Sequence, residues 1–418
     1  MTGPGSVLGR RSLLRTAGIA SAAAAAAACS SGATSRAPGP ITTLQPLAPG
    51  VPSPAGVYVP APPTGVLWGR LPTRSTPPVA VVDSGAVVTI DTISHEGVLE
   101  DQGQDPLGYF TGLGVAPGDV LSDAVEVARR TPHDGPGPHV VTGPIAVRGA
   151  EPGHVLAIDV LDLQLRVPYG VVSNRHGKGA LPGEYPEAWE SRADLRRWFN
   201  AGGEISVFTP ARPGPGGLVG ALPAGQGEVT FPLAPFLGIM GVARDTDALV
   251  DSVPPTDAGG NLDINELGVG SRLYLPVRVP GAMAFAGDPH MAQGDGEVAL
   301  TAMEGSLRAT LRLTSIPPGG PAPRAAFAAP FAETPTHWLP IGLSDPDGAE
   351  GGGNRTELDL AMKDAVRRAM AFLVQDRGMA EPVAYAYLSA AADFQVSQVV
   401  DRTTGVHGLI RKADFGVA

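Results

Sequence analysis

The densest run of chemistry-bearing side chains is Gly287-Asp288-Pro289-His290-Met291-Ala292-Gln293-Gly294-Asp295-Gly296-Glu297, preceded by Gly259-Gly260-Asn261-Leu262-Asp263. Asp288 and His290 are two apart, so on an extended chain both project to one face; Asp295 and Glu297 share that relation. The glycines permit tight turns and close approach of backbone to a ligand. A carboxylate and an imidazole that converge suit zinc, whereas an all-oxygen set favours calcium. The bland alternative is a polar turn at a sheet end, its Asp and Asn bonded to nearby backbone.

Other candidates are sparser. Ser173-Asn174-Arg175-His176-Gly177-Lys178-Gly179 is a polar, glycine-punctuated loop, in which Lys178 either binds a substrate carboxylate or is simply solvated. His133, His139, His154, His337 and His407 have no comparable partners nearby in sequence, and a surface or satisfied structural histidine is expected at each. Cys29 is the only cysteine, so no intrachain disulfide forms and the body has no thiol nucleophile. No Gly-x-Ser-x-Gly elbow occurs, nor a glycine- and serine-rich run that would seat a Ser–Ser–Lys amidase.

Positioning such groups falls mostly to strands. Leu273, Leu275, Val277 and Val279 alternate with polar residues or proline, as do Leu307, Ala309, Leu311 and Leu313. Pro276 lacks a donor, which predicts an edge or a bulge there. Val140-Val141-Thr142 is a short strand expected to stop at Gly143-Pro144, and Glu151-Pro152-Gly153-His154 is a turn feeding the strand Val155–Leu161. One helix is expected after a Thr356 N-cap, carried by Leu358, Met362, Ala365, Val366, Ala369, Met370 and Leu373, and a weaker one over 382–392. With 56 Gly, 43 Pro and 43% hydrophobic residues in 418, the expected body is globular and mainly β, a β-sandwich or barrel-like core with a few helices near the C-terminus.

The first 29 residues read as an address. Arg10-Arg11-Ser12-Leu13-Leu14-Arg15 is a twin-arginine pattern ahead of an alanine-rich run too short to span a membrane comfortably, which needs about 20 apolar residues. Ala26-Ala27-Ala28-Cys29 resembles a lipoprotein cleavage box, with Cys29 the acylated residue; plain cleavage at an Ala-x-Ala site is the alternative. The expected protein is therefore exported by the twin-arginine route and extracytoplasmic, its only membrane contact a lipid anchor. Residues 30–78, rich in Pro, Gly, Ser and Thr, read as a tether, with Val57-Tyr58-Val59 and Trp68 able to pack on a body of 79–418. The address holds three arginines and no acid, which leaves −14 on the remainder of a chain whose formal charge is −11. An acidic body without a basic stripe argues against nucleic acid as a partner.

Taken together, the Gly259–Asp263 block, Leu275-Pro276-Val277, Gly281-Ala282, the Gly287–Glu297 block, and upstream Thr142-Gly143-Pro144-Ile145 and Gly149-Ala150-Glu151-Pro152-Gly153 resemble the acetamidase/formamidase family in order. The resemblance runs over about residues 79–418. It implies a β-rich fold, homo-oligomerisation, dependence on a divalent metal (zinc favoured, calcium possible) and hydrolysis of small linear amides. The family often carries His before the Gly-Gly pair, where this chain has Ala258; a compensating group is available in Ile93-Ser94-His95-Glu96-Gly97. The candidate ligands are then His95, Asp263, Asp288 and His290, with Glu297 as base, Asp295 and Glu304 as its alternates, and Asn261, Gln293 and Lys178 toward substrate. The rival from another class is a non-catalytic binding lipoprotein with a structural calcium; a carboxylate-pair glycosidase is a weaker third.

Overall fold

Strand-forming alternation is realised as two large open sheets in the computed structural model, which describes residues 45–187, 189–347 and 355–417. The described residues fall in one compact unit, Pro40–Ala418. The twin-arginine run and Cys29 lie outside them.

The first sheet has nine strands, ordered Val57–Val59, Ala86–Asp91, Leu307–Ile316, Val155–Leu165, Arg272–Pro276, Phe331–Glu333, His337–Leu343, Gly405–Arg411 and Asp393–Gln398. Leu307, Ala309, Leu311 and Leu313 are all buried on one face, as the alternation requires. The helices Leu358–Gln375 and Glu381–Ala391 cover part of it, the first through Ala361, Ala365, Ala369, Phe372 and Leu373. The second sheet has eleven strands; at its centre Ala284–Ala292 pairs with Phe236–Val242, Met303–Glu304 and Val140–Arg148. The β-rich reading holds, but neither sheet closes into a barrel.

Several local expectations are corrected. Two further short helices, Pro106–Gly112 and Ser122–Arg130, lie far from the C-terminus. The N-cap of the long helix is Glu357 rather than Thr356. The strand begun at Val140 runs through Gly143-Pro144 to Arg148, taking up the irregularity as a register shift against Ala284–Ala286. Pro276 is on an interior strand: it pairs with Val155 on one side, but the opposite neighbour ends at Tyr274, so no bond is asked of the missing N–H.

The tether reading fails from Leu47 onward. Val57–Val59 pairs with Val88–Ile90, Val66–Trp68 with Val140–Thr142, and Trp68 is buried. Two buried arginines hold the segment: Arg308 donates to the carbonyls of Ala48, Val51 and Pro52 and grips Asp91 through Nε (2.6 Å) and Nη2 (2.9 Å), while Arg166 donates to the carbonyls of Leu47 and Thr92 and pairs with Asp123 at 2.7 Å. Tyr58 adds a 2.6 Å bond to Asp91; burial first, then that carboxylate, push its phenol up to about 12. Strands of two or three residues are too short to show a period, which is why proline content alone suggested an extended linker.

Candidate active site

Ala284–Ala292 is a buried strand in mid-sheet, not a polar turn. Its register sets the site: His290 lies opposite Glu304 on one neighbour and Phe236 on the other, and Gly287 lies opposite Val141, two residues after His139. Asp288 has φ 50°, outside ordinary strand geometry. Its Oδ2 comes 3.0 Å from His290 Nε2, and its Oδ1 faces His95 Nδ1 at 3.6 Å and His139 Nε2 at 3.7 Å. Glu304 Oε1 is also 3.0 Å from His290 Nε2, and Glu297 Oε1 is 3.9 Å away. Gly238, on the adjacent strand, makes room: a Cβ there would stand 2.5 Å from both Asp263 Oδ1 and Asp288 Oδ2.

Most of these groups are buried and lack hydrogen bonds. Both ring nitrogens of His95, both oxygens of Asp263, Asp288 Oδ1, Glu304 Oε2, Asp401 Oδ2 and His290 Nε2 are without one. Such groups are costly to bury bare. Among the described residues three sets have ligand atoms close enough to share a cation: His95, His139 and Asp288; Asp288, His290 and Glu304; Asp263, His290 and Glu297. Four-coordinate zinc with arms of about 2.1 Å sets its donors roughly 3.4 Å apart, close to the separations of Asp288 Oδ1 from His95 and His139. The donor set fits a divalent ion.

The protonation pattern without a cation has the same cause. Burial, then the charges of Glu297 and Asp401, holds Asp263 well above the usual carboxyl range; burial and neighbouring acids do the same to Glu297, and burial, with Asp288, raises Glu304. Burial pushes Asp401 up to about 7. Asp288 goes the other way: burial alone would raise it, but the His290 and His139 charges and the close approach of the His290 and His95 rings hold it well below its normal value. Burial opposes the charged form of His95, yet Asp288 and Glu96 overcome it and raise His95 to about 10, while burial lowers His139 to about 4. Such crowded acids cannot all ionise unless positive charge enters among them.

Supporting bonds fix the orientations. Gln293 Nε2 donates to the carbonyls of Asp263 (2.9 Å) and Ser397 (3.1 Å), so its Oε1 must face His290 Nδ1 at 2.9 Å and accept the ring N–H. That leaves His290 Nε2 toward Asp288 and Glu304. His139 Nδ1 is 3.0 Å from Ser252 Oγ. Glu96 accepts from Gln102 and stands 3.6 Å from Arg175, and although burial opposes ionisation, the Arg175 charge and the nearby His95 ring lower its carboxyl to about 2.

A cavity of about 820 Å³ opens onto this centre; Asp288, Glu297, Glu304, His95, His139 and Asp401 line its inner end, whereas His290 and Asp263 lie behind the wall. The expected His95, Asp263, Asp288, His290, Glu297 and Glu304 therefore meet. Asn261 is buried and lines the cavity, and Lys178 lies at its exposed side. Two expectations fail. Asp295 is exposed and bonded by Asn265, because Gly294 and Gly296 turn the chain and break the alternation that was to pair it with Glu297. Gln293 is not a cavity residue but braces His290. His139 and Asp401 are members that sequence reading missed. His139 reads as an ordinary structural histidine until strand pairing sets it beside Asp288, and Asp401 arrives through the bridge between Gly296 and Gln398. His133, His154, His337 and His407 have local partners: Gly137, Ser315, Thr336, and Ser397 with Glu266.

The Acetamidase/Formamidase family model matches residues 133–252 and 246–410, a span holding every site residue named above except His95 and Glu96. Formamidase of Methylophilus methylotrophus is 30% identical over 191 residues, covering 38% of this chain and 47% of that protein. Acetamidase of Mycolicibacterium smegmatis is 33% identical over 202 residues, covering 38% and 49%. The chain thus spans about half the length of the curated relatives it matches. Among solved structures, acetamidase from Bacillus halodurans superposes with a TM-score of 0.63 at 23% identity, over 86% of this chain and 99% of that one. Acetamidase from Yersinia enterocolitica gives 0.62 at 23%, over 86% and 94%. At these identities the structural likeness is one of fold.

Proposed function

The chain belongs to the acetamidase/formamidase family, and from that premise we propose that it is an exported, metal-dependent amidohydrolase releasing ammonia from a linear carboxamide. The single observation that supports this best is the buried His95–His139–Asp288 set, its His95 nitrogens and Asp288 Oδ1 without hydrogen bonds, on a cavity that Glu297 and Glu304 also line. Two imidazoles and one carboxylate with an open side are the donor chemistry of a catalytic zinc site. A divalent ion bound there supplies Lewis-acid charge beside the amide oxygen and acidifies water in its shell.

The chain's own groups account for the rest. Asp288 is common to two of the ligand sets, and His290, held by Gln293, fixes it from behind the cavity wall. Glu297 is the proposed base: at the cavity wall, its carboxylate takes a proton from the attacking water and returns it to the departing nitrogen. Glu304 is the alternate, since it lines the same wall. Asn261 Oδ1, buried without a partner, is placed to accept from the amide N–H.

Ammonia release from short amides, measured with and without chelator and alongside metal analysis, tests the proposal. His95→Ala should lose metal and turnover together, whereas Glu297→Gln should keep metal and fold and lose about 10²–10⁴-fold in turnover. Near-normal turnover in Glu297→Gln moves the base to Glu304. Bound calcium with no turnover on any amide supports the non-catalytic binding protein instead.

A further inference from the structure

The cavity is larger than the smallest amides need. Acetamide has only a handful of non-hydrogen atoms, whereas cavities of about 300–1,000 Å³ commonly enclose ligands several times that size. The wall also includes Leu99, Leu300, Val253 and Val399, apolar side chains suited to methylene groups.

Three cations reach this cavity. Arg175, Lys178 and Arg402 line the same cavity. Arg175 is matched by Glu96 and Asp101, and Arg402 by Asp251. The Lys178 ammonium has no hydrogen bond or ion pair among the described residues, its backbone N–H alone donating to the Arg175 carbonyl, whereas the chain's other two lysines, Lys363 and Lys412, are paired with Asp359 and Glu333. Burial, then the like charge of Arg175 with a smaller share from Arg402, pull the Lys178 ammonium below its usual range, although the charges of Glu204 and Asp251 oppose the shift. An arriving anion relieves that repulsion.

Resting on the amidohydrolase reading, we infer that the substrate is an extended carboxamide with a carboxylate at its far end, the amide at Asp288 and the carboxylate at Lys178. Hydrolysis then converts a dicarboxylic monoamide and water to a dicarboxylate and ammonium. The carboxylate end undergoes no bond change; it sets position and selects among amides.

The test compares succinamate and glutaramate with the uncharged butanamide and pentanamide on the metal-loaded full chain. The wild type should favour the anionic amides in kcat/KM. In Lys178→Gln the anionic-to-neutral ratio should fall about ten- to a hundredfold, the usual scale for a hydrogen bond to a charged group, chiefly through KM, and Lys178→Arg should restore most of it. Equal ratios in wild type and Lys178→Gln, or a wild-type preference for the neutral amides, overturn the assignment. Calorimetric titration of glutaramate and pentanamide keeps the two readings separate. Absence of hydrolysis of every amide removes the amidohydrolase reading, while binding of glutaramate that is tighter than pentanamide and weakened by Lys178→Gln still supports the subsite; equal binding overturns it.

Discussion

Replacing Gly238 with alanine tests the site geometry without removing any polar group. Gly238 is on the strand Phe236–Val242, and its φ is not positive, so alanine meets no backbone strain. The added Cβ would stand 2.5 Å from Asp263 Oδ1, 2.5 Å from Asp288 Oδ2 and 2.8 Å from His290 Cε1. Carbon contacts settle at about 3.5–4.0 Å, so each group must retreat by on the order of 1 Å. Overpacking of this kind costs about 1–3 kcal/mol, partly offset by the roughly 0.4–1 kcal/mol that Gly→Ala recovers from the unfolded chain. The expected net is a modest destabilisation of about 1–2 kcal/mol. Function should suffer far more, because a 1 Å displacement of reacting or ligating groups costs on the order of 10²-fold in rate. Denaturant titration, metal titration against a competing chelator, and ammonia release give the three numbers. A folded Gly238→Ala protein with wild-type metal affinity and turnover would refute the idea that Asp263, Asp288 and His290 must stay packed against this glycine.

Gln293→Leu should weaken metal binding about 10–100-fold while the protein stays folded, since His290 loses the acceptor that fixes its tautomer; nitrogen NMR shifts of the His290 ring should change, and an unaltered tautomer would make Gln293 a bystander. Arg308→Met leaves Asp91 buried without its bidentate partner and should cost about 3–5 kcal/mol in denaturant unfolding, with faster proteolysis between residues 45 and 60. An unchanged midpoint and cleavage pattern there would count against the clamp. Replacing Arg10 and Arg11 with Lys should trap active precursor in the cytoplasm, and Cys29→Ala should release the exported protein from membranes; normal export of the first, or full membrane association of the second, rejects the corresponding assignment.

What could be read from the sequence follows the range of the interaction. Asp288 and His290 were legible because a spacing of two on one strand is a local matter, and the long alternation at 307–314 was legible for the same reason. Asp295 was misread because Gly294 and Gly296 end the extended geometry that gives alternation its meaning. His139 and Asp401 were invisible: one joins Asp288 by pairing of Val141 with Gly287, the other through a bridge from Gln398 to Gly296, and no periodicity encodes such distant meetings. Residues 47–71 were mistaken for a tether because distant groups seat them: two arginines some hundred and more residues away hold 47–52, and strands too short to show a period pair with partners elsewhere in the chain.

The arginine clamp on Leu47–Val59 also orders events in time. Residues 47–52 cannot be secured until Arg166 and then Arg308 have been made and the strand Leu307–Ile316 has paired with Ala86–Asp91. Contacts of such sequence separation form late, since the long loop they close must first be ordered. Residues 47–52 are therefore loose while the body assembles and fastened only when the strands that carry their partners are in place. For the twin-arginine route proposed above, which carries proteins already folded, that gives the export machinery a mechanical difference between a finished passenger and an unfinished one.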